Sequence, residues 1–536
     1  MEIKGNIVDI HQNRIYPSTL KFFNGKLSEI QKLTRKQNHY LIPGFIDSHI
    51  HIESTLITPC EFARIALQHG TVAVVSDPHE IANVLGLDGV YFMISNAKQS
   101  PLKFYFSAPS CVPATPLETS GASLGITELE ILLKDNRIKY LGEMMNYPGI
   151  INKDESVLAK INLAQSFGKP VDGHAPGLRG SSLQKYIAAG ISTDHETGEY
   201  MEGLEKLKLG MNLLIREGSA SRNFSTLIPL VRDYPEQCMF CCDDLHPDDL
   251  LKGHINLLVK RALEQGLNIF TVLRAASLNP IKHYGLDVGL LRPGDEADFL
   301  VVDNLHDLNI LQTWIQGREV RTQSQDITCH LEIPEQKFNI RLKSPADFQM
   351  INRNLETPAI VVQDGSIITR KTAVRARTEN SLIVTDPERD LLKLSVVNRY
   401  RDAAPAVALV QGFGLTEGAL ASSVAHDSHN IIAVGADDLS LARAVNLVIQ
   451  NQGGLCLVSA KEEMILPLPV AGLMSTLSCE EAASKYRELE MKARNLGTKL
   501  TASFMTLSFL ALIVIPELKL SDRGLFDVDK FKFIDP

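Results

Sequence analysis

Leu41-Ile42-Pro43-Gly44-Phe45-Ile46-Asp47-Ser48-His49-Ile50-His51-Ile52-Glu53 is an apolar run that closes on two histidines one residue apart. Side chains alternate faces along an extended chain, so a period of two sets His49 and His51 on one face, where both imidazoles reach one ion. A His-x-His by itself also suits a polar loop. The segments that follow it decide in favour of a strand that ends in metal ligands.

From residue 42 to 284 the chain repeats a short apolar run, a polar or glycine-containing loop, and a segment of helical period, which is the rhythm of βα units. The runs predict strands over residues 42–51, 71–77, 103–109, 138–144, 170–174, 190–195, 211–217 and 238–243. Eight in series predict an α/β fold of the (β/α)8 barrel type, in which reactive groups sit where strands end and loops begin. Those ends carry His49 and His51, Asp77-Pro78-His79-Glu80, Glu143, His174, Asp194-His195-Glu196, Arg216-Glu217 and Asp243-Asp244.

Residues 1–41 and 285–335 read as short strands and turns, and two β-rich flanks around a barrel can pair into one small β-sandwich. Residues 42–284 are then the barrel. Residues 336–536 alternate strand and helix patterns and are expected to form an additional C-terminal α/β domain that folds on its own; 536 residues exceed what a single core serves. With 54 basic against 63 acidic residues, net charge −9, the chain is not built as a nucleic-acid binder. The apolar stretch near residues 504–515 is too short to span a bilayer, and the first residues lack the apolar core of a signal peptide. The eight cysteines are scattered and form no zinc knuckle, which fits a reducing compartment and a cytoplasmic protein. The exposed faces of a three-domain chain predict a homo-oligomer, a dimer or larger.

His49, His51, Glu143, His174, His195 and Asp243 suffice to hold two divalent ions in one pocket. Imidazole and carboxylate without thiolate suit Mn²⁺, Fe²⁺ or Zn²⁺, and a carboxylate between two ions can bridge them. His174 or His195 alone would read as a hydrogen-bonded loop histidine. Glu143 stands in an apolar strand, where a carboxylate is costly to bury unless paired. A further crowding of ligand types, His426-Asp427-Ser428-His429-Asn430, precedes the apolar residues 431–435. By spacing it suits another metal site; the preferred reading is a loop closing or bordering the barrel mouth, and a plain hydrogen-bonded turn is the alternative.

In these motifs the chain resembles the amidohydrolase superfamily, and in finer wording its bacterial adenine deaminase family. The matching segments are residues 43–55 (PGFIDSHIHIEST), 76–84 (SDPHEIANV), 142–149 (GEMMNYPG), 172–177 (DGHAPG), 216–219 (REGS), 243–249 (DDLHPDD), 277–285 (SLNPIKHYG), 423–435 (SVAHDSHNIIAVG) and 504–512 (FMTLSFLAL). Many members of the superfamily bridge their ions with a carboxylated lysine on the fourth strand, a position that Glu143 takes here. The resemblance implies hydrolytic deamination of adenine to hypoxanthine and ammonia, with a binuclear metal site, Mn²⁺ favoured over Fe²⁺ or Zn²⁺, and a role in purine salvage or nitrogen use.

Under that implication Asp243 is the candidate base that takes the proton of the attacking water and hands it to ammonia, and Glu143 the bridging carboxylate. Attack at C6 also calls for a proton at ring N1. Related deaminases supply it from a Glu shortly after the strand-five histidine, but Ala175, Pro176 and Gly177 follow His174. Glu217, Asp77 or Glu80 are the acids left to provide it. Arg216 is expected to orient the purine with Glu217 fixing the guanidinium or reading N–H donors of the substrate, and Asp77 and His79 either to fix histidine tautomers or to touch substrate. A cyclic-amide hydrolase of dihydroorotase or hydantoinase type is the rival enzyme, disfavoured by Glu143. A non-catalytic scaffold is the rival of another class, disfavoured by six intact ligands.

Overall fold

The computed structural model describes residues 1–219, 221–335 and 338–535. Residues 336 and 337, where the expected third region begins, lie outside the described residues. The chain falls into two compact units, the first of residues 1–78, 91–111 and 125–330, the second of residues 79–90, 112–124 and 331–536.

The first unit contains the eight expected parallel strands: β1 (Phe45–Ile50), β2 (Thr71–Ser76), β3 (Lys103–Ala108), β4 (Ile138–Met144), β5 (Val171–Gly173), β6 (Thr193–Asp194), β7 (Asn212–Arg216) and β8 (Cys238–Cys241). β1 to β5 form one parallel sheet and β6 to β8 another. Isolated parallel bridges at Val171–Ile191 and Ile50–Asp243 connect them at both ends, giving a curled sheet. Every residue of β1 and of β2 is buried, as a parallel sheet covered on both faces requires. Helices fill the connections, among them Pro59–Ala66, which starts on a proline that has no amide hydrogen to waste, and Glu155–Ser166, capped by the Asp154 carboxylate at the amides of Ser156 and Val157.

The run expected as one strand over 42–51 is two. Tyr40–Pro43 belongs to a seven-stranded sheet and β1 to the parallel sheet, with Gly44 between them. A Cβ on Gly44 would lie 2.4 Å from the methyls of Val72, so the break holds only a glycine. The seven-stranded sheet joins both flanks of the chain: Tyr40–Pro43 pairs parallel with Glu2–Asp9 and antiparallel with Phe299–Val302. Its core is Ile7, Leu20, Phe22, Leu41, Phe299 and Val301, with the Phe299 and Trp314 rings stacked at 5.6 Å.

Cys60 is bonded to Cys329, a link across 269 positions that the scattered spacing did not suggest and that a reducing compartment does not favour. The other six cysteines lie outside this disulfide and are buried. Cys238 and Cys241 stand three apart in β8, a separation that puts them on opposite faces and rules out a shared ion.

The second unit is built on an eight-stranded sheet in the order Arg370–Val374, Thr357–Val361, Ala406–Gln411, Leu392–Val397, Ile431–Gly435, Ala419–Ser422, Gly454–Val458, Glu463–Pro467. Only Thr357–Val361 and Ala406–Gln411 run parallel; the other neighbours are antiparallel. Helix Asp438–Gln450 lays Leu441, Val445 and Val448 against Ala421, Ile431, Ala433 and Val458 of this sheet. This unit also takes in residues 79–90 and 112–124, which lie inside the stretch expected to be all barrel. Among the described residues no helix is long and apolar enough to cross a membrane.

Candidate active site

β1 ends with His49 and His51 on one face, and both rings are buried. Their Nε2 atoms are 3.1 Å apart. His51 Nε2 lies 3.1 Å from Asp243 Oδ1 and 3.2 Å from Glu143 Oε1, and His49 Nε2 3.6 Å from Asp243 Oδ1. The other Glu143 oxygen, Oε2, lies 2.6 Å from His174 Nδ1 and 3.2 Å from His195 Nε2. One carboxylate therefore faces two ligand groups, one oxygen to each. All six expected ligands come together, from the ends of β1, β4, β5, β6 and β8.

The backbone around these groups is arranged to aim them. The carbonyl of Asp77 accepts from His51 Nδ1 at 3.0 Å, so that nitrogen holds the proton and Nε2 offers its lone pair to the cluster. The Asp77 carboxylate accepts from Ser107 Oγ at 2.7 Å and from the amide of Glu143 at 2.9 Å. Gly142 makes room for it, since a Cβ there would lie 2.2 Å from Asp77 Oδ2. Asp47, fully buried on β1, accepts from the amides of His49 and Cys242 and pairs with His254 at 2.9 Å. Asp243 follows β8 in the left-handed region at φ 58, which carries its side chain out of the strand's alternation.

Burial alone would raise the Glu143 carboxyl, but the charges and hydrogen bonds of His174 and His195 hold it well below the usual range. Asp243 is likewise favoured by burial to protonate and held far below by Arg216, His195 and His51. Burial lowers the two imidazoles His51 and His195, yet Asp243 and Glu143 outweigh it and raise both, His195 to about 9. His49 is lowered by burial and by the neighbouring rings His195 and His51. The cluster thus demands positive charge, which protons supply in the absence of a cation and which divalent ions would supply in their place. Four imidazoles and two carboxylates converging in two sets that share Glu143 fit such a pair of ions.

Arg216 is buried at the end of β7. Its guanidinium donates to both oxygens of Glu196, in one case at 3.0 Å, and to Asp243 Oδ2. Burial disfavours the charge, but Glu196 and Asp243 keep the group protonated well above the ordinary range. The expected partner, Glu217, is turned away: it pairs with Arg261 at 2.7 Å and Arg222 at 3.8 Å, beside a cavity of about 270 Å³ that the six ligands do not line. Neighbours on an extended chain point to opposite faces, so Arg216 and Glu217 cannot both face the cluster. The carboxylate that meets Arg216 is instead Glu196, which strand alternation missed. β6 ends at Asp194, so His195 and Glu196 lie past the strand, where the period of two no longer holds.

His79 and Glu80 belong to the second unit, where they meet the loop 426–429. The Glu80 oxygens accept from His426 Nδ1 and His429 Nε2, and His79 Nε2 lies 3.7 Å from Asp427 Oδ1. Of the acids expected to protonate a substrate, Glu217, Asp77 and Glu80 are thus each engaged with other protein groups.

The sequence pattern of the amidohydrolase family matches residues 40–320, and that of the adenine deaminase C-terminal domain residues 366–532. An adenine deaminase of Sulfurovum sp. (strain NBC37-1) is 53% identical over 100% of this chain and 99% of its own. One of Methanosarcina mazei is 49% identical, over 99% and 98%. A crystal structure of a β-aspartyl dipeptidase from Fervidobacterium islandicum AW-1 gives a looser likeness, with TM-score 0.46 and 16% identity over 60% of this chain and 97% of that one.

Proposed function

The chain belongs to the amidohydrolase family and, within it, to the adenine deaminases, and on that premise we propose that it hydrolyses adenine to hypoxanthine and ammonia. The observation that carries the reading is the divided Glu143 carboxylate, with one oxygen at His51 and the other at His174 and His195. His49, His51, Glu143, His174, His195 and Asp243 would hold two divalent ions, Mn²⁺ favoured and Fe²⁺ or Zn²⁺ compatible with the same donors. Such ions, when bound, acidify water toward neutral pH and so permit hydrolysis without a strong base.

Asp243 takes the proton of the attacking water and passes it to the amino group leaving C6. Arg216 serves that step by gripping Asp243 Oδ2, which leaves Oδ1 to the reacting side, and Glu196 holds the guanidinium in place. Asp77 fixes the peptide of Glu143 and the tautomer of His51. These are positioning roles, and each acts through a residue of the cluster.

We read the eight parallel strands as a closed (β/α)8 barrel over residues 42–284, supported by the bridges at Val171–Ile191 and Ile50–Asp243. Residues 1–41 and 285–335 then form a small β domain and 336–536 a C-terminal domain. The ligands stand at the strand ends where such barrels carry chemistry. Purine salvage or use of adenine as a nitrogen source is the physiological reading, with a homo-oligomer in the cytoplasm. Six buried cysteines outside any disulfide favour that compartment, and the Cys60–Cys329 bond stands against it.

The test is adenine loss at its ultraviolet band with ammonia counted in parallel, on protein loaded with Mn²⁺ and again after chelation. One ammonia per adenine, lost on chelation and restored by metal, is the expected result. Silence toward adenine from metal-loaded protein would overturn the reading.

A further inference from the structure

We propose that Glu80, His426 and His429 form a third divalent-cation site, within the second unit and sharing no ligand with the cluster around Glu143. The two oxygens of Glu80 face His426 Nδ1 and His429 Nε2, one each. A third ring nitrogen, His79 Nε2, lies 3.6 Å from Glu80 Oε1 and 3.7 Å from Asp427 Oδ1. His79, Glu80, His426, Asp427 and His429 are all at least nineteen-twentieths buried.

Hydrogen bonding within the protein leaves part of this pocket unserved. Asp427 Oδ2 and His429 Nδ1 are buried without a hydrogen-bond partner among the described residues. Two buried carboxylates, Glu80 and Asp427, beside the rings of His79, His426 and His429 make a donor set suited to a cation. The ring and loop are held ready for one: His426 stacks on Phe509 at 4.6 Å, the amide of His429 donates to the carbonyl of Ala425, Tyr400 Oη donates to the carbonyl of Ser428, and Asn430 Nδ2 donates to the carbonyl of Thr119. Imidazole nitrogens with carboxylate oxygens and no sulfur select Zn²⁺, Mn²⁺ or Fe²⁺ over Ca²⁺ or Mg²⁺. Bound there, the ion fastens segment 79–90 to the loop at 426–429 across more than three hundred positions of sequence.

The readout is metal content per chain, measured by mass spectrometry on the full-length protein after loading with Mn²⁺ or Zn²⁺ and removal of loose ions. Glu80→Gln and His429→Gln should each hold one equivalent less than the unaltered protein. That difference does not depend on how many ions the Glu143 cluster holds or on whether adenine is the substrate. Equal metal content in all three proteins, with circular dichroism unchanged, would overturn the proposal. Should the variants not fold, crystals of the unaltered protein grown with Mn²⁺ decide: an anomalous peak among Glu80, His426 and His429 supports the site, and peaks confined to the Glu143 cluster exclude it.

Discussion

At Glu143 a single carboxylate serves two groups of imidazoles, and no other side chain of its size can. Glutamine keeps one acceptor oxygen but turns an N–H toward ring nitrogens, so Glu143→Gln is expected to abolish deamination and to reduce metal retention in the same preparation. Near-normal turnover would remove Glu143 from the centre. Asp77→Asn tests positioning: one of its two partners, Ser107 or the Glu143 amide, must then meet a donor instead of an acceptor. A loss of about 10- to 100-fold in kcat/KM, with the protein still folded, is expected. Glu217→Gln, by contrast, should leave turnover near that of the unaltered protein, since its carboxylate faces Arg222 and Arg261; a collapse of kcat would return it to the site. The convergence of the six candidate ligands was legible in the sequence because each lies at or just past a strand end and because a carboxylate in an apolar run announces a partner. The partnership of Glu80 with His426 and His429 was not, because nothing local joins residues so distant in the chain.

Strand alternation succeeded for His49 and His51, which lie on or at the edge of β1, and did not reach Glu196, which lies beyond β6; Asp243 joins the cluster from beyond β8, where its backbone turns left-handed. The helix and strand rhythm of residues 336–536 was visible too, but the mostly antiparallel order of its sheet was not, since pairing depends on which runs meet rather than on their period. One strand of this unit offers a pH test. Lys519, in strand Leu518–Ser521, is fully buried and donates to the carbonyls of Ile367 and Phe509. Burial drives its ammonium down from 10.5 to about 7. Below about pH 7 the folded and unfolded chains both carry the proton, and the full cost of burying it is felt. Between about 7 and 10.5 the unfolded chain binds more protons, so stability rises with pH, by on the order of 5 kcal/mol for this group. Denaturation midpoints of the unaltered protein and Lys519→Met should converge as pH rises through this window; a constant gap would show that Lys519 does not titrate there.

For the whole molecule, the second unit is not a C-terminal appendix. Because residues 79–90 and 112–124 cluster with it, a chain ended at residue 335 would leave Glu80 without His426 and His429. Such a truncation is expected to be poorly soluble or to melt well below the full chain, and a stable, fully active fragment would contradict it. The seven-stranded sheet of the first unit carries a different implication, one of timing. Tyr40–Pro43 finds its antiparallel partner only in Phe299–Val302, so about 260 further residues must be synthesised before that edge is covered, roughly 13–50 s at ordinary translation rates. During that interval the growing chain shows an apolar strand edge to its surroundings. The molecule therefore closes its first sheet only a little past the midpoint of its 536 residues, and chaperone demand should peak while residues 44 to 298 are emerging.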